Sequence, residues 1–350
     1  MEEKINGRNV YLDIFRFLLA FMIICIHLTG EQYSFFPVYR LAVPMFFMIS
    51  GYFIYDKDSD AQIKKSNLFI SRSAKYMLIG IIFYIIYEFI FCLIDKISLG
   101  WFFTTIFYEG SSPLFHFLIL NAPIPYYTVG AQIWFLIAMF VLSIIHFFII
   151  KYQKTNWYKI IVPICFAIYF FFSGYMYIIQ SHTDIPIRYM RNAWFLGLPN
   201  FGLGYLIASY RTDNKSKYKY IYLILAILFF IIQIPEHLLI STENSKLEMY
   251  ISGVISAVFW LKFFMEIKKS DCHFFYKWIG KSAPFYIYIL HMGVACLLSR
   301  FISFSNLMFK SFVVFMVSLL IYEAFFLLCK FLKHNKRKCR EYANTVIHNN

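Results

Sequence analysis

Charge is scarce in this chain. Only 15% of its 350 residues are Asp, Glu, Lys or Arg, against roughly 25% in a soluble globular domain. Hydrophobic residues reach 60% and aromatics 22%, more apolar surface than a water-soluble fold of this length can hide. The shortage of polar residues also excludes a disordered chain, because such chains are poor in aromatic and apolar types. Paired cysteines are missing as well. Cysteines 25, 92, 165, 272, 296, 329 and 339 form no Cys-x-x-Cys, so neither a disulfide framework nor a metal site is expected. There is no internal repeat of about 20–50 residues. The first apolar run carries Asp13 and Arg16 and is followed by no small-x-small site, which excludes a removable signal peptide.

What the chain does have is a series of long apolar runs. About 20 apolar residues suffice for a helix to cross a hydrocarbon core of roughly 30 Å. Ten such runs are legible: 10–29, 37–55, 75–94, 130–150, 160–179, 192–210, 218–235, 247–266, 283–301 and 307–330. The expected fold class is all-α, a polytopic membrane bundle of about ten transmembrane helices.

The net charge of +14 points to nucleic acid only if the basic residues share one accessible face. Sorting them by side gives another answer. With the N-terminus inside, 24 of the 33 basic residues fall in the inner segments, and six of these lie from Lys330 onward. The outer side holds seven: Arg40, Lys96, Arg188, Arg191, Lys246, Arg300 and Lys310. This asymmetry predicts both termini in the cytoplasm, with the lipid bilayer and no nucleic acid as partner. The segment 95–129 reads as a long outer loop lying against the interface. Glu109-Gly110-Ser111-Ser112-Pro113 breaks its apolar stretch, and Pro123 and Pro125 follow.

Ionisable residues inside spans are costly and normally face a cavity or a partner. The sharpest case is Asp13-x-x-Arg16 followed by His27 in the first run. At 100° per residue, Arg16 and His27 share one helix face, about 16 Å apart along the axis. Arg16 lies toward the inner side and His27 toward the outer, with Asp13 placed to pair with Arg16. The plainer alternative has Arg16 snorkelling and His27 at the interface, but that leaves their shared face unexplained. Arg72 and Lys75, at i,i+3 on the inner side, could hold phosphates or serve as an ordinary positive anchor. Candidate cavity-lining residues are Asp13, Ser50, Glu88, Trp134 and His291. Glu323 is a further carboxylate within a span, His116 a lone loop histidine, and Lys262 with Glu266 reads as a structural pair.

Five elements occur in order: Arg16-x10-His27, Pro44-x-Phe46-Phe47-x-x-Ser50-Gly51, Trp134-Phe135-Leu136, the block around Gly197 and Gly204, and Tyr288-x-x-His291. In this order the chain resembles the integral-membrane acyltransferases of the acyltransferase-3 type, which include bacterial O-acetyltransferases of surface glycans. The resemblance runs from about Tyr11 to about Lys330. It implies an acyl-CoA-dependent transferase in the bacterial plasma membrane, with no resident cofactor and acetyl-CoA or another acyl-CoA as co-substrate. It implies a glycan or lipid-linked sugar hydroxyl as acceptor, His27 and Arg16 as catalytic residues, and Arg72 and Lys75 as acyl-CoA contacts.

Two departures from the family pattern stand out. The usual Arg-x-x-Arg is Arg72-x-x-Lys75 here, which replaces a planar fork with a point charge. The Trp134 segment lacks the Ser and Glu of the O-antigen variant. That places the chain nearer other branches, including the serine-linked membrane domains of vancomycin-resistance racemases, so a permease for a small polar solute such as serine is the alternative function. The expected domains are 1–335, the membrane acyltransferase unit, and 336–350, a basic cytoplasmic tail. No racemase domain is expected beyond it, and a separate extracytoplasmic transferase is a candidate partner.

Overall fold

The computed structural model describes residues 9–30, 35–106, 116–121, 129–173, 175, 189–211, 218–240, 247–267 and 282–348. Among them every regular element is a helix. Helix α1 spans Val10–Thr29 and is opened by Asn9, whose side chain accepts from the Leu12 amide. A single turn, Phe36–Tyr39, leads into α2, Ala42–Ile54. Helix α3, Ser59–Ile94, starts on Asp58, whose carboxylate accepts from the amides of Asp60 and Ala61. There follow α4 (Leu99–Ile106), α5 (Trp134–Lys151), α6 (Tyr158–Phe172) and α7 (Leu198–Ser209). A π-helical turn, Ala193–Gly197, runs straight into α7. The chain continues through α8 (Lys219–Ile240), α9 (Ile251–Glu266), α10 (Ala283–Phe301) and α11 (Leu307–His348).

Each of the ten apolar runs coincides with a helix. Among the described residues, eight segments are long and apolar enough to cross a membrane. The runs at 192–210 and 247–266 hold α7 and α9, of 12 and 16 residues. Several boundaries differ from the sequence reading: α2 starts at Ala42 rather than 37, α6 ends at Phe172 rather than 179, and α8 runs to Ile240 rather than 235. Helix α3 begins at Ser59 rather than near 75, because Asp58 caps it and no breaker intervenes. Helix α11 continues past 330 to His348. Within 95–129, α4 and a π-helical turn, His116–Leu120, are described. The three prolines of that segment lie outside the described residues.

Side-chain pairs fix the sense of each helix. Ser73 meets Ser143 while Tyr84 meets Gln132, so α3 and α5 are antiparallel. Tyr76 stacks on Phe285, Tyr84 bonds the Ile289 carbonyl and Tyr87 the Gly293 carbonyl, so α3 and α10 are parallel. Phe15 packs on Trp260 and Phe264, and Asn9 bonds the Phe264 carbonyl, so the start of α1 lies at the end of α9. We call that end of the bundle the lower end. Helices α1, α3 and α10 rise from it.

Burial divides the helices into two groups. Helices α2, α5 and α7 are largely enclosed, whereas α3, α8 and α11 expose Ile82, Ile86, Ile224, Ile231, Phe312 and Leu320. In water such a surface would be an aggregation site; around a bundle of this composition it is the lipid-facing wall. The interior crossing of α2 and α7 depends on two glycines. A β-carbon at Gly51 would overlap the Phe201 carbonyl oxygen, and one at Gly204 the Met48 carbonyl oxygen. Small residues permit this backbone approach. Below α2, Lys65 holds Asp56 at 2.8 Å.

Candidate active site

The upper end of α1 and the middle of α10 bring two histidines together. The rings of His27 and His291 are 5.3 Å apart at 34°. His291 is fully buried, with Nδ1 2.7 Å from the Tyr288 carbonyl oxygen. A carbonyl oxygen only accepts, so Nδ1 carries the proton and Nε2 of the neutral ring carries the lone pair. That Nε2 is buried and has no hydrogen-bond partner. His27 is partly buried, and its one ring contact among the described residues is His291.

A hydrogen-bonded frame holds His291. The Tyr288 hydroxyl donates to the Gln132 carbonyl, the Gln132 amide to the Tyr84 hydroxyl, and the Tyr84 hydroxyl to the Ile289 carbonyl. This chain clamps α3, the turn Val129–Ile133 and α10 around one level of the bundle. Within this network the Gln132 Oε1 atom is buried without a partner among the described residues. Below His291 lies an apolar pocket lined by Phe46, Phe135, Pro284, Phe285 and Tyr288.

Lower on α1, Arg16 Nη1 lies 3.3 Å from Asp13, as the i,i+3 spacing predicted, and its Nε is buried without a partner. Arg72 and Lys75 are exposed on α3 near the lower end. The adjoining Tyr76 stacks on Phe285 at 4.6 Å, at the foot of α10. Lys75 is nine residues, about 14 Å, below Tyr84 along α3. The structure therefore places His27 with His291, Arg16 with Asp13, and the Arg72 and Lys75 pair apart from both.

The remaining candidates divide. Trp134 is buried against Phe47, with the Arg191 guanidinium 5.6 Å from its ring. Ser50 returns its hydroxyl to the Phe46 carbonyl at 2.9 Å, a bond inside its own helix. Glu88 lies a turn above Tyr84, within the field of Tyr87 and Cys296. Glu323 keeps one carboxylate oxygen buried and unpartnered on α11. Lys262 covers the Tyr222 ring at 5.6 Å where α9 packs on α8.

Four residues were given no role in the sequence reading: Arg40, Arg191, Glu248 and His146. Arg40, counted there as an outer loop charge, is buried and hydrogen-bonded to Glu248, and Arg191 is 3.5 Å from the same carboxylate. His146 was also passed over; it is buried, with Nδ1 2.8 Å from the Tyr158 hydroxyl. Its one signal was a histidine within an apolar run. Among the described residues no three His, Cys, Asp or Glu side chains form a metal-ligating group.

No curated protein and no solved structure is detectably similar to the chain. The acyltransferase domain family of the acyltransferase-3 type matches residues 9–329. That span holds every helix from α1 to α10, most of α11, and all of the residues just described. A match over nearly the full length, on a bundle of helices able to cross a membrane, assigns the chain to the acyltransferase-3 family of membrane acyltransferases.

Proposed function

We propose that the protein moves an acyl group, in the first instance acetyl, from cytoplasmic acyl-CoA to a hydroxyl of a cell-surface glycan or lipid-linked sugar. The single observation that carries this reading is α1, which presents Arg16 low and His27 high on one face, with His291 beside His27. In this reading the lower end faces the cytoplasm, as the distribution of basic residues predicts. Arg72 and Lys75 meet the CoA phosphates there as exposed cations. Arg16 balances donor charge further in, where water is scarce and a fixed charge acts strongly.

His27 is the general base. The acceptor hydroxyl passes its proton to the His27 ring as its oxygen bonds to the thioester carbon. The carbon–sulfur bond then breaks, and CoA leaves as the thiol, taking that proton from His27. The apolar pocket below His291 gives the acyl group a dry wall. Labelled acetyl-CoA with purified protein tests the reading: label transfer or thioester hydrolysis that is lost in His27→Ala supports it.

A serine permease remains the second reading, on the strength of the π-helical turn Ala193–Gly197 that interrupts the helix leading into α7. Close packing accounts for that turn without transport. A β-carbon at Gly197 would press on Leu142 and Phe47.

A further inference from the structure

The upper end of the site carries more positive charge than its internal pairing needs. Arg40, from the turn before α2, hydrogen-bonds Glu248, just ahead of α9, and both side chains are buried. The Glu248 backbone amide donates to the Tyr169 hydroxyl at 3.1 Å. One arginine thus neutralises the carboxylate. A second, Arg191, stands 3.5 Å from the other carboxylate oxygen and makes no hydrogen bond among the described residues. It is about one-third exposed, and its Nε and that of Arg40 are buried without partners. Among the described residues, two guanidinium groups around one carboxylate leave a net charge of one positive unit. Arg40 is buried in its pair, and Arg191, partly exposed, is the guanidinium that an incoming anion can reach.

This cluster is joined to the histidines by an unbroken series of rings. Arg191 lies over Trp134; Trp134 meets Phe135 at 6.2 Å, Phe135 meets Tyr288 at 5.4 Å, and Tyr288 meets His291 at 5.8 Å. His27 completes it at 5.3 Å. A planar guanidinium offers paired donors matched to the two oxygens of a carboxylate or phosphate.

We infer that this cluster selects an anionic acceptor: a hydroxyl compound that also carries a carboxylate or phosphate, bound by Arg191 with Arg40 behind it. The inference rests on the acyl-transfer reading and names the substrate class for the same site. Arg40 is a positioning residue that keeps Glu248 from neutralising Arg191 fully.

The test uses full-length protein in lipid nanodiscs with labelled acetyl-CoA and three probe acceptors: glucose, glucuronate and glucose 1-phosphate. Acetylated product is measured by mass spectrometry. The expected result is at least tenfold higher kcat/KM for an anionic probe than for glucose. Whichever of the two anionic probes is preferred identifies a sugar carboxylate or a phosphate as the group read. Arg191→Gln should bring that ratio close to one through KM, and Arg191→Lys should restore part of it, which a purely structural arginine would not do. Equal use of charged and neutral probes by the wild-type protein, or an unchanged ratio in Arg191→Gln, overturns the inference while acyl transfer stands. Absence of both acetyl transfer and thioester hydrolysis in the wild type overturns the acyl-transfer reading, and the inference falls with it.

Discussion

The rings of His27 and His291, carried by the first and the tenth of the major helices, lie 5.3 Å apart. The two are not equivalent. His291 is held by the Tyr288 carbonyl and is fully enclosed, whereas His27 keeps part of its surface open. His27 therefore differs from His291 in lacking a hydrogen bond that fixes its ring among the described residues.

Substitution should separate their roles. His27→Ala should lower kcat by roughly 10²–10⁴, the usual contribution of a positioned general base, with normal membrane insertion. His291→Ala should empty a fully buried site and cost about 2–5 kcal/mol of stability, with a smaller loss in kcat. Thermal unfolding and steady-state kinetics on both variants check this. A folded His291→Ala protein less active than His27→Ala would reverse the assignment.

The glycine crossing makes a prediction about folding alone. Gly51→Ala and Gly204→Ala must force α2 and α7 apart, because each new methyl meets a backbone oxygen of the facing helix. Overpacking of this kind costs about 1–3 kcal/mol or more. Gly100→Ala, whose β-carbon would have only the Ser98 hydroxyl near it, should be neutral. Thermal midpoints followed by size-exclusion chromatography distinguish the two outcomes.

The donor contact is open to improvement. Lys75→Arg should lower KM for acetyl-CoA several-fold, since a planar fork grips phosphate in two places. Arg72→Gln should raise it. Neither should alter turnover of acetyl-pantetheine, which lacks the nucleotide phosphates. Equal effects on both donors would remove Arg72 and Lys75 from the CoA site.

Acid should weaken one contact below α2. The hydrogen bond from Lys65 holds the Asp56 carboxyl below the usual carboxylate range. A depressed folded value contributes stability that is present above the unfolded pKa of about 4 and is lost as pH falls through the folded value. Asp56→Asn should therefore have the lower thermal midpoint at pH 6. The gap to wild type should close as pH is lowered past that range.

Much of the bundle was legible because spans need unbroken apolar runs, and the helix period alone put Arg16 and His27 on one face. Asp13 beside Arg16 was equally readable, since i,i+3 neighbours meet on any helix. The cluster of Arg40, Arg191 and Glu248 was not. Its members come from three distant segments, and in sequence each looks like a charge at the edge of a span. Only tertiary packing buries them together. The early start of α3 was hidden for a related reason. Its polar first turns read as a cytoplasmic loop, although Asp58 with Asp60 offered a capping signal. Gly51 and Gly204 stood in the sequence as motif residues, and that they meet across one helix crossing could not be named without the fold.

The central claim is that this chain transfers an acyl group by way of His27. The most direct measurement follows acetyl-labelled acetyl-CoA with purified protein in nanodiscs, counting both released thiol and acetylated acceptor, for wild type and His27→Ala. The account predicts wild-type release of CoA with the label moved to a hydroxyl or to water, and loss of both in the variant. CoA-independent uptake of serine into liposomes, with no thioester turnover, would contradict it.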